Sequence, residues 1–245
     1  MTAITVEHLA KSFGATEALR EVSFDIEDGE IFGILGPNGA GKTTTAECIG
    51  AMITQDTGTV RVLGMNPQAE PRRVRRSLGY QMQSSTLPAD LRVREAVRMF
   101  ASFYPDSIDT DDLLETVGLS TVSHRAFGVL SGGQKQRLSI ALALIGRPEV
   151  VILDEITTGL DPEGRRDVWN LIERIRSTGV TVLLVSHSLD EVERLCDRIC
   201  VIIDGRAVYT GTCQQLIAQT APSTIRSRVP TLEDAYLALT ADHRT

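Results

Sequence analysis

Nine consecutive residues constrain this chain more than any others: Gly-Pro-Asn-Gly-Ala-Gly-Lys-Thr-Thr at positions 36–44. They fit the pattern G-x-x-x-x-G-K-[ST]. They follow an apolar segment, residues 31–35, that predicts a buried strand, and they precede a predicted helix over residues 43–52. A strand, a glycine loop and a helix in this order direct backbone N–H groups and a helix N-terminus at an anion. The segment therefore predicts the phosphate-binding loop of a nucleotide site.

The residue types in this loop each suit phosphate chemistry. Glycines adopt backbone conformations that a Cβ would forbid, and they let the chain approach the phosphates closely. Lys42 would reach the β- and γ-phosphates, and the Thr43 hydroxyl would bind Mg²⁺. The residues expected to bind the nucleotide here are Gly36, Pro37, Asn38, Gly39, Ala40, Gly41, Lys42, Thr43 and Thr44.

Composition excludes several classes of protein. A 245-residue chain with 42% hydrophobic residues has enough apolar material for a core. The net charge of −7 argues against a broad nucleic-acid interface, which would need a basic face. No apolar run approaches the roughly 18–20 residues of a membrane span, and the N-terminus does not resemble a signal peptide. We therefore expect a cytoplasmic protein that does not bind nucleic acid.

The pattern of apolar residues predicts an α/β fold. Residues 4–9, 22–26 and 59–63 alternate apolar and polar side chains, which indicates an antiparallel layer. Between residues 91 and 145 three segments with helical spacing follow one another without a strand. Continuous apolar runs at residues 150–153, 180–185 and 199–203 then alternate with helices, which is typical of a parallel sheet covered on both faces.

The expected architecture is a phosphate-loop NTPase core with a mixed, mainly parallel sheet, an N-terminal antiparallel β layer and a helical subdomain. We expect one domain, divided into residues 1–83 (antiparallel layer and nucleotide-binding core), 84–148 (helical subdomain), 149–211 (rest of the core) and 212–245 (C-terminal helical tail).

Two acids follow the first of the late apolar runs. A buried parallel strand delivers its C-terminal residues to the sheet edge where ligands bind. Asp154 can therefore help to hold Mg²⁺, and Glu155 is placed to polarise a water for attack on a γ-phosphate. Alone, the pair could simply begin a solvated loop. The glycine loop upstream favours the catalytic interpretation.

A second anion-binding element is predicted at Leu-Ser-Gly-Gly-Gln-Lys-Gln-Arg, residues 130–137. Ser131 is a good N-cap, and the two glycines leave backbone N–H groups uncovered at the positive end of a helix. Taken alone, the segment could be a plain junction between a loop and a helix.

Together with Gln83, residues 159–161 and residues 186–187, these motifs resemble the ordered motif set of the ABC ATPases. The resemblance extends from Phe13 to at least Tyr209, and the eight-residue segment 130–137 is its most specific part. It implies an ATPase that uses ATP and Mg²⁺. The positions that it adds or defines are Phe13, Gln83, Ser131, Gly132, Gly133, Gln134, Asp161 and His187.

The resemblance implies a role for each of these positions. Gln83 would sense Mg²⁺ and the γ-phosphate, while His187 would hold the γ-phosphate and Glu155 would activate the water. Phe13 would stack on adenine. Asp161 would contact an opposite subunit, and residues 131–134 would face the ATP of that subunit.

Three positions depart from the usual pattern of the family. Ile156 replaces a proline after the catalytic glutamate, so the loop should be less restricted in φ. Phe13 replaces a commoner tyrosine but keeps the stacking face. Arg92 stands where a threonine often caps the next helix, and Asp90 is a candidate cap instead.

The resemblance implies the ATP-binding subunit of a transporter, bound to a separate membrane permease on the inner face of the cell membrane. Two copies, or one copy and a paralogue, would enclose two ATP molecules, and the permease would contact a groove lined by residues around 84–104. The tail, residues 230–240, resembles exporters of the daunorubicin-resistance type.

Two alternatives stay open: a soluble ABC ATPase such as a cluster-assembly ATPase, and a non-hydrolysing regulatory subunit. Glu155 and His187 disfavour the second. Co-purification with a multi-span membrane protein would distinguish the transporter subunit from the first.

Overall fold

The computed structural model describes residues 1–82, 86–220 and 231–242. Within these residues nine strands form one sheet in the order β4-β1-β2-β9-β8-β3-β7-β6-β5. The strands are β1 (Thr2–Phe13), β2 (Thr16–Glu27), β3 (Ile31–Leu35), β4 (Thr57–Val62), β5 (Leu78–Gln81), β6 (Val150–Asp154), β7 (Thr181–Ser186), β8 (Arg198–Ile203) and β9 (Arg206–Gly211). The helices are α1 (Lys42–Ile49), α2 (Pro71–Ser77), α3 (Val93–Ala101), α4 (Thr110–Thr116), α5 (Gly132–Leu144), α6 (Pro162–Ser177), α7 (Leu189–Leu195), α8 (Cys213–Thr220) and α9 (Leu232–Asp242).

The N-terminal part of the sheet is antiparallel, as the alternating pattern predicts. β1 pairs with β2 on one side and with β4 on the other, so that Val6 lies opposite both Phe24 and Val60. These three side chains are buried, whereas the residues between them are mostly exposed. Burial of one face of each strand is the physical origin of the alternation.

The central strands are parallel and buried on both faces. β3 lies between β7 and β8, and β6 joins β7 to β5, all in parallel register. Leu35 at the end of β3 is paired with Ser186 at the end of β7, and Asp154 at the end of β6 is paired with Val185. The residues that follow these three strands therefore emerge at one edge of the sheet.

The segment between β5 and β6 is helical in its described part, as expected. α3, α4 and α5 bury residues such as Val97, Leu114 and Leu138 in a cluster that also contains Val151 of β6. The candidate cap Asp90 is wrong: α3 begins after Arg92, whose N–H donates to the Glu95 carboxylate at 3.0 Å. The Glu95 side chain, inside the first turn of α3, thus takes the place of a capping side chain before the helix.

Two peripheral elements have simple structural roles. α2 buries Val74 and exposes its arginines, so this basic segment is a solvated helix face. At the other end of the chain, Asp204 and Gly205 have φ angles of +47° and +74° and form the turn of the β8–β9 hairpin. No helix in the described ranges is long and apolar enough to cross a bilayer.

Candidate functional site

The glycine loop connects β3 to α1 and lies against the backbone of two other strands. Gly39 and Gly41 have φ angles of +81° and +103°, which disfavour any residue with a Cβ. A Cβ on Gly36 would lie 2.2 Å from the carbonyl oxygen of Ile202, and one on Gly41 would lie 2.6 Å from that of Ala18. Gly36 is therefore required by close packing, Gly39 by backbone conformation, and Gly41 by both.

Lys42, the first residue of α1, folds back over the loop. Its Nζ donates to the carbonyl oxygens of Gly36 at 2.9 Å and Pro37 at 3.0 Å. Burial lowers the pKa of the Lys42 ammonium, while Glu155 and Asp154 act in the opposite direction. The result is a nearly buried cation held beside the loop and two carboxylates.

Asp154 is almost completely buried at the end of β6. Its backbone N–H donates to the side-chain oxygen of Gln81 at 3.0 Å, and its carboxylate is hydrogen-bonded by Thr43. Burial raises the pKa of Asp154 to about 6, although the Thr43 hydrogen bond lowers it. Among the described residues, Asp154 Oδ1 is buried and has no hydrogen-bond partner. A buried, unsatisfied carboxylate oxygen is unfavourable unless a cation or water approaches it.

Glu155 and His187 meet beside the loop. Glu155 has a φ of +50°, which is uncommon outside glycine, and its N–H donates to the carbonyl oxygen of Val185 at 2.9 Å. Its Oε1 lies 3.3 Å from Nδ1 of His187. The strained backbone turns the Glu155 side chain towards the residue that follows β7.

Lys42, Glu155 and His187 border one cleft of about 560 Å³. Its lining residues are Ala18, Asn38, Gly39, Gly41, Lys42, Thr43, Thr44, Glu155, Thr158 and His187. We call it the phosphate-loop cleft. Its walls combine backbone N–H groups, one ammonium, a carboxylate and an imidazole, so it can bind a polyphosphate and act on its terminal group.

The second predicted anion element has the geometry expected of it. Ser131 is the N-cap of α5: its hydroxyl accepts from the N–H of Gln134 at 3.2 Å, and Gln134 Oε1 accepts from the N–H of Ser131 at 3.0 Å. Asp161 is the N-cap of α6, and its Oδ1 accepts from the N–H of Gly164 at 2.7 Å. The reciprocal pair at Ser131 and the single cap at Asp161 fix the N-termini of α5 and α6.

The N-termini of α5 and α6 border a second cleft of about 340 Å³. Its lining residues are Ser131, Gly132, Gly133, Arg137, Gly159, Leu160, Asp161, Glu163, Gly164 and Asp167. We call it the signature cleft. It shares no lining residue with the phosphate-loop cleft.

Most of the predicted site residues therefore belong to segments that line one of these two clefts, with two exceptions. Phe13 lies at the β1–β2 turn, where its ring is half exposed and the Lys11 ammonium is 5.4 Å from the ring centroid. It does not line the phosphate-loop cleft. Gln83 lies outside the described residues. Its predicted roles in catalysis and Mg²⁺ binding remain predictions.

Sequence reasoning overlooked two residues that line the phosphate-loop cleft, Thr158 and Ala18, and one that lies behind it, Gln81. Gln81 holds the backbone of Asp154, and its polar side chain in an apolar strand was the available signal. Thr158 is one of two consecutive threonines just after the acids. Ala18 lines the cleft from β2, and an alanine carries no chemical signal.

The profile of the ABC transporter family matches residues 19–158, more than half of the chain. The chain belongs to the ABC transporter family. As the ATP-binding subunit of an ABC transporter, it is an ATPase.

Individual proteins that are similar to this ABC transporter subunit support the same family assignment. It is 37% identical over 222 residues to the Nod factor export ATP-binding protein I of Rhizobium etli, covering 89% of this chain and 70% of that protein. Among solved structures, an ATP-binding subunit of an ABC transporter superposes with a TM-score of 0.84 at 27% identity, covering 97% and 99% of the two chains. A dimeric bacterial ABC transporter cassette has a TM-score of 0.75 at 26% identity, covering 85% and 98%.

Proposed function

We propose that this ATPase is the motor subunit of an exporter: two cassettes close on ATP and drive a separate membrane permease from the inner face of the membrane. The observation that carries the proposal is the division of the predicted site into two clefts with no common lining residue. Each cleft contains an element that the sequence predicts to bind an anion, yet the chain has one phosphate loop. Export is supported by the Rhizobium etli relative, which is named as a Nod factor export protein.

In the phosphate-loop cleft, the backbone N–H groups of residues 36–44 and the Lys42 ammonium bind the β- and γ-phosphates. Glu155 accepts a proton from the attacking water, and His187 donates a hydrogen bond to the γ-phosphate. Phe13 stacks on adenine from the β1–β2 turn. The Glu155–His187 contact of 3.3 Å supports a shared task for these two side chains.

The oxygen ligands near the loop fit Mg²⁺. The Thr43 hydroxyl and the unsatisfied Oδ1 of Asp154 are hard oxygen donors, which this cation prefers. We assign them, with Gln83, as the groups that hold Mg²⁺ directly or through water. When bound, the cation neutralises charge on the phosphates.

The signature cleft serves the ATP of a second copy or of a paralogue. In that arrangement Ser131, Gly132, Gly133 and Gln134 of one copy contact the γ-phosphate bound by the other, and Asp161 contacts the opposite subunit. Dimeric structures of related cassettes, including one bound to ADP and phosphate, support this arrangement.

A third cavity, of about 370 Å³, fits the predicted groove for the permease. It lies between β5 and the helical segment and is lined by apolar residues that include Leu87, Phe100, Tyr104 and Leu142. Phe103 on the same helical segment is 70% exposed. We assign this groove to a short cytoplasmic segment of the permease, because an exposed apolar surface favours a protein partner.

Two substitutions test this function. Glu155→Gln should bind Mg-ATP and accumulate as an ATP-bound dimer, with turnover reduced on the order of 100-fold because the base is lost. Ser131→Arg should leave ATP binding by the monomer unchanged but block the ATP-dependent dimer. Phosphate release, equilibrium binding of a fluorescent ATP analogue and size-exclusion chromatography measure these effects.

The outcomes separate the parts of the proposal. Wild-type turnover in Glu155→Gln would remove this residue from the base role. A dimer of Ser131→Arg in the presence of ATP would contradict a composite site. Capture of a multi-span permease with the tagged chain from membranes supports the transporter function, whereas capture of soluble cluster-assembly proteins alone contradicts it.

A further inference from the structure

A completely buried carboxylate lies behind the phosphate-loop cleft. Glu191 of α7 is 0% exposed. Its Oε1 accepts a hydrogen bond from the indole N–H of Trp169 at 3.0 Å, and its Oε2 accepts one from the Ser186 hydroxyl at 2.6 Å. A buried carboxylate is unfavourable unless hydrogen-bond donors surround it. The chain supplies two such donors here, which indicates that this carboxylate has a specific role.

The second of these hydrogen bonds controls the turn that carries His187. The Ser186 hydroxyl has one proton, which it donates to Glu191, so its oxygen is left to accept from the N–H of Ser188 at 3.0 Å. These two bonds close the turn on both sides of His187. The Glu191 carboxylate thereby fixes the orientation of the Ser186 hydroxyl. The hydroxyl oxygen in turn holds the backbone of the turn at Ser188.

His187 depends on this turn for its position. The residue is exposed, and its Nδ1 lies 3.3 Å from Oε1 of Glu155. The backbone of Glu155 is held by the same strand, because its N–H donates to the carbonyl oxygen of Val185 in β7. A shift of the turn would therefore separate two groups whose separation is otherwise fixed by β7.

The other oxygen of Glu191 reaches the signature side of the molecule. Trp169 lies on α6, the helix that begins after Asp161 and whose first turn lines the signature cleft. Arg194 lies over the indole ring, with its guanidinium carbon 5.5 Å from the centroid. Glu191 thus joins α6 to the end of β7 through two hydrogen bonds.

We propose that Glu191 is a positioning residue for ATP hydrolysis, which acts through Ser186 to hold His187 in line with Glu155. The inference rests on the role proposed above for His187. It predicts a loss in the chemical step without a loss in nucleotide binding, because the phosphate loop makes none of these contacts.

Three substitutions test the proposal in the full-length chain. Glu191→Ala and Ser186→Ala should each lower kcat by on the order of 10- to 100-fold with little change in the KM for Mg-ATP, since misplacement of a catalytic group affects the transition state. Glu191→Gln should retain kcat within about threefold. Its amide oxygen can accept from Trp169 while its NH₂ donates to the Ser186 oxygen, which has a second lone pair.

A matched control and a double variant distinguish positioning from stability. Val192 lies on the same helix but is buried in a hydrophobic cluster that does not include Trp169. Val192→Ala should therefore lower Tm without lowering kcat. In a His187→Ala background, Glu191→Ala should reduce kcat no further, because the residue through which it acts is already gone. If Glu191→Ala does not fold, Ser186→Ala and Glu191→Gln decide.

Each result has a definite meaning. Wild-type activity of His187→Ala would overturn the proposed role of His187 and this inference with it. If His187→Ala is impaired, three results would each overturn the inference alone: wild-type kcat in Ser186→Ala, equal losses in Glu191→Gln and Glu191→Ala, or multiplicative losses in the double variant. Impaired Ser186→Ala, rescue by Gln and no further loss in the double variant support it.

Discussion

The packing of the phosphate loop predicts that two of its glycines respond differently to the same substitution. Gly39→Ala places a Cβ at φ +81° in open space, with nothing within 4 Å. Its cost is the strain of a left-handed conformation, about 1–2 kcal/mol. Gly41→Ala has a φ of +103°, and its Cβ would lie 2.4 Å from Leu19 Cδ2 and 2.6 Å from the Ala18 carbonyl oxygen. Overpacking adds about 1–3 kcal/mol, for a total of about 2–5 kcal/mol.

The assay is urea unfolding of the two variants in nucleotide-free buffer, beside Gly14→Ala, whose φ of +61° and open surroundings lie outside the loop. Gly14→Ala and Gly39→Ala should lose similar free energies of unfolding. Gly41→Ala should lose about 1–3 kcal/mol more, which for a domain of this size lowers Tm further by roughly 2–12 °C. Equal losses at Gly39 and Gly41 would refute the close packing of the loop against β2.

Three further predictions concern the same region. Asp154 has a folded pKa of about 6 against 3.8 unfolded, so its protonated form stabilises the fold below pH 4 and this contribution disappears as the pH rises through 6. In Mg²⁺-free buffer Asp154→Asn should therefore gain stability over wild type between pH 4 and pH 8, by at most about 3 kcal/mol in urea unfolding, and a difference independent of pH would contradict this. Ile156→Ala should lose about 2–5 kcal/mol in the same assay because the side chain is completely buried, and a loss below about 1 kcal/mol would mean that the site collapses around it. Phe13→Ala should weaken equilibrium ATP binding by roughly 5- to 100-fold without lowering Tm, and an unchanged Kd would remove Phe13 from the adenine site.

The features that the sequence predicted correctly depend on short-range chemistry. The glycine loop is identified by residues that are adjacent in the chain, and its positive φ angles at Gly39 and Gly41 follow from the residue type. The Ser131 cap of α5 uses a partner only three residues away. Burial of strands on one face or on both faces leaves a period that can be read without knowing the partner strand.

The features that it missed depend on register between distant segments. Gln81 lies in an apolar strand, and nothing in the neighbouring residues shows that it meets Asp154. The pairing of Gln81 with Leu153 decides it, because it brings the Gln81 amide to the backbone of the next residue. Glu191 was overlooked for the same reason: its donors lie on α6 and at the end of β7.

Burial also changes the interpretation of the departure at Ile156. The absence of proline removes one restriction on φ, but the Ile156 side chain is completely buried and packs in the same cluster as Leu153 and Val168. The N–H of Glu155 is bonded to β7 as well. Packing therefore supplies the restraint on this loop that a proline ring would otherwise provide.

A continuous set of bonded groups connects the two clefts within one chain. Asp161 caps α6 at the signature cleft, Trp169 on the same helix donates to Glu191, and Glu191 accepts from the serine whose turn carries His187. α6 has 16 residues and moves as a rigid element if it moves at all. If the signature cleft receives the ATP of a second subunit, its occupation constrains the first turn of α6. Through Glu191 it then constrains the position of His187 at the chain's own ATP. In such a dimer, hydrolysis at one phosphate-loop cleft would consequently respond to the nucleotide bound by the other subunit.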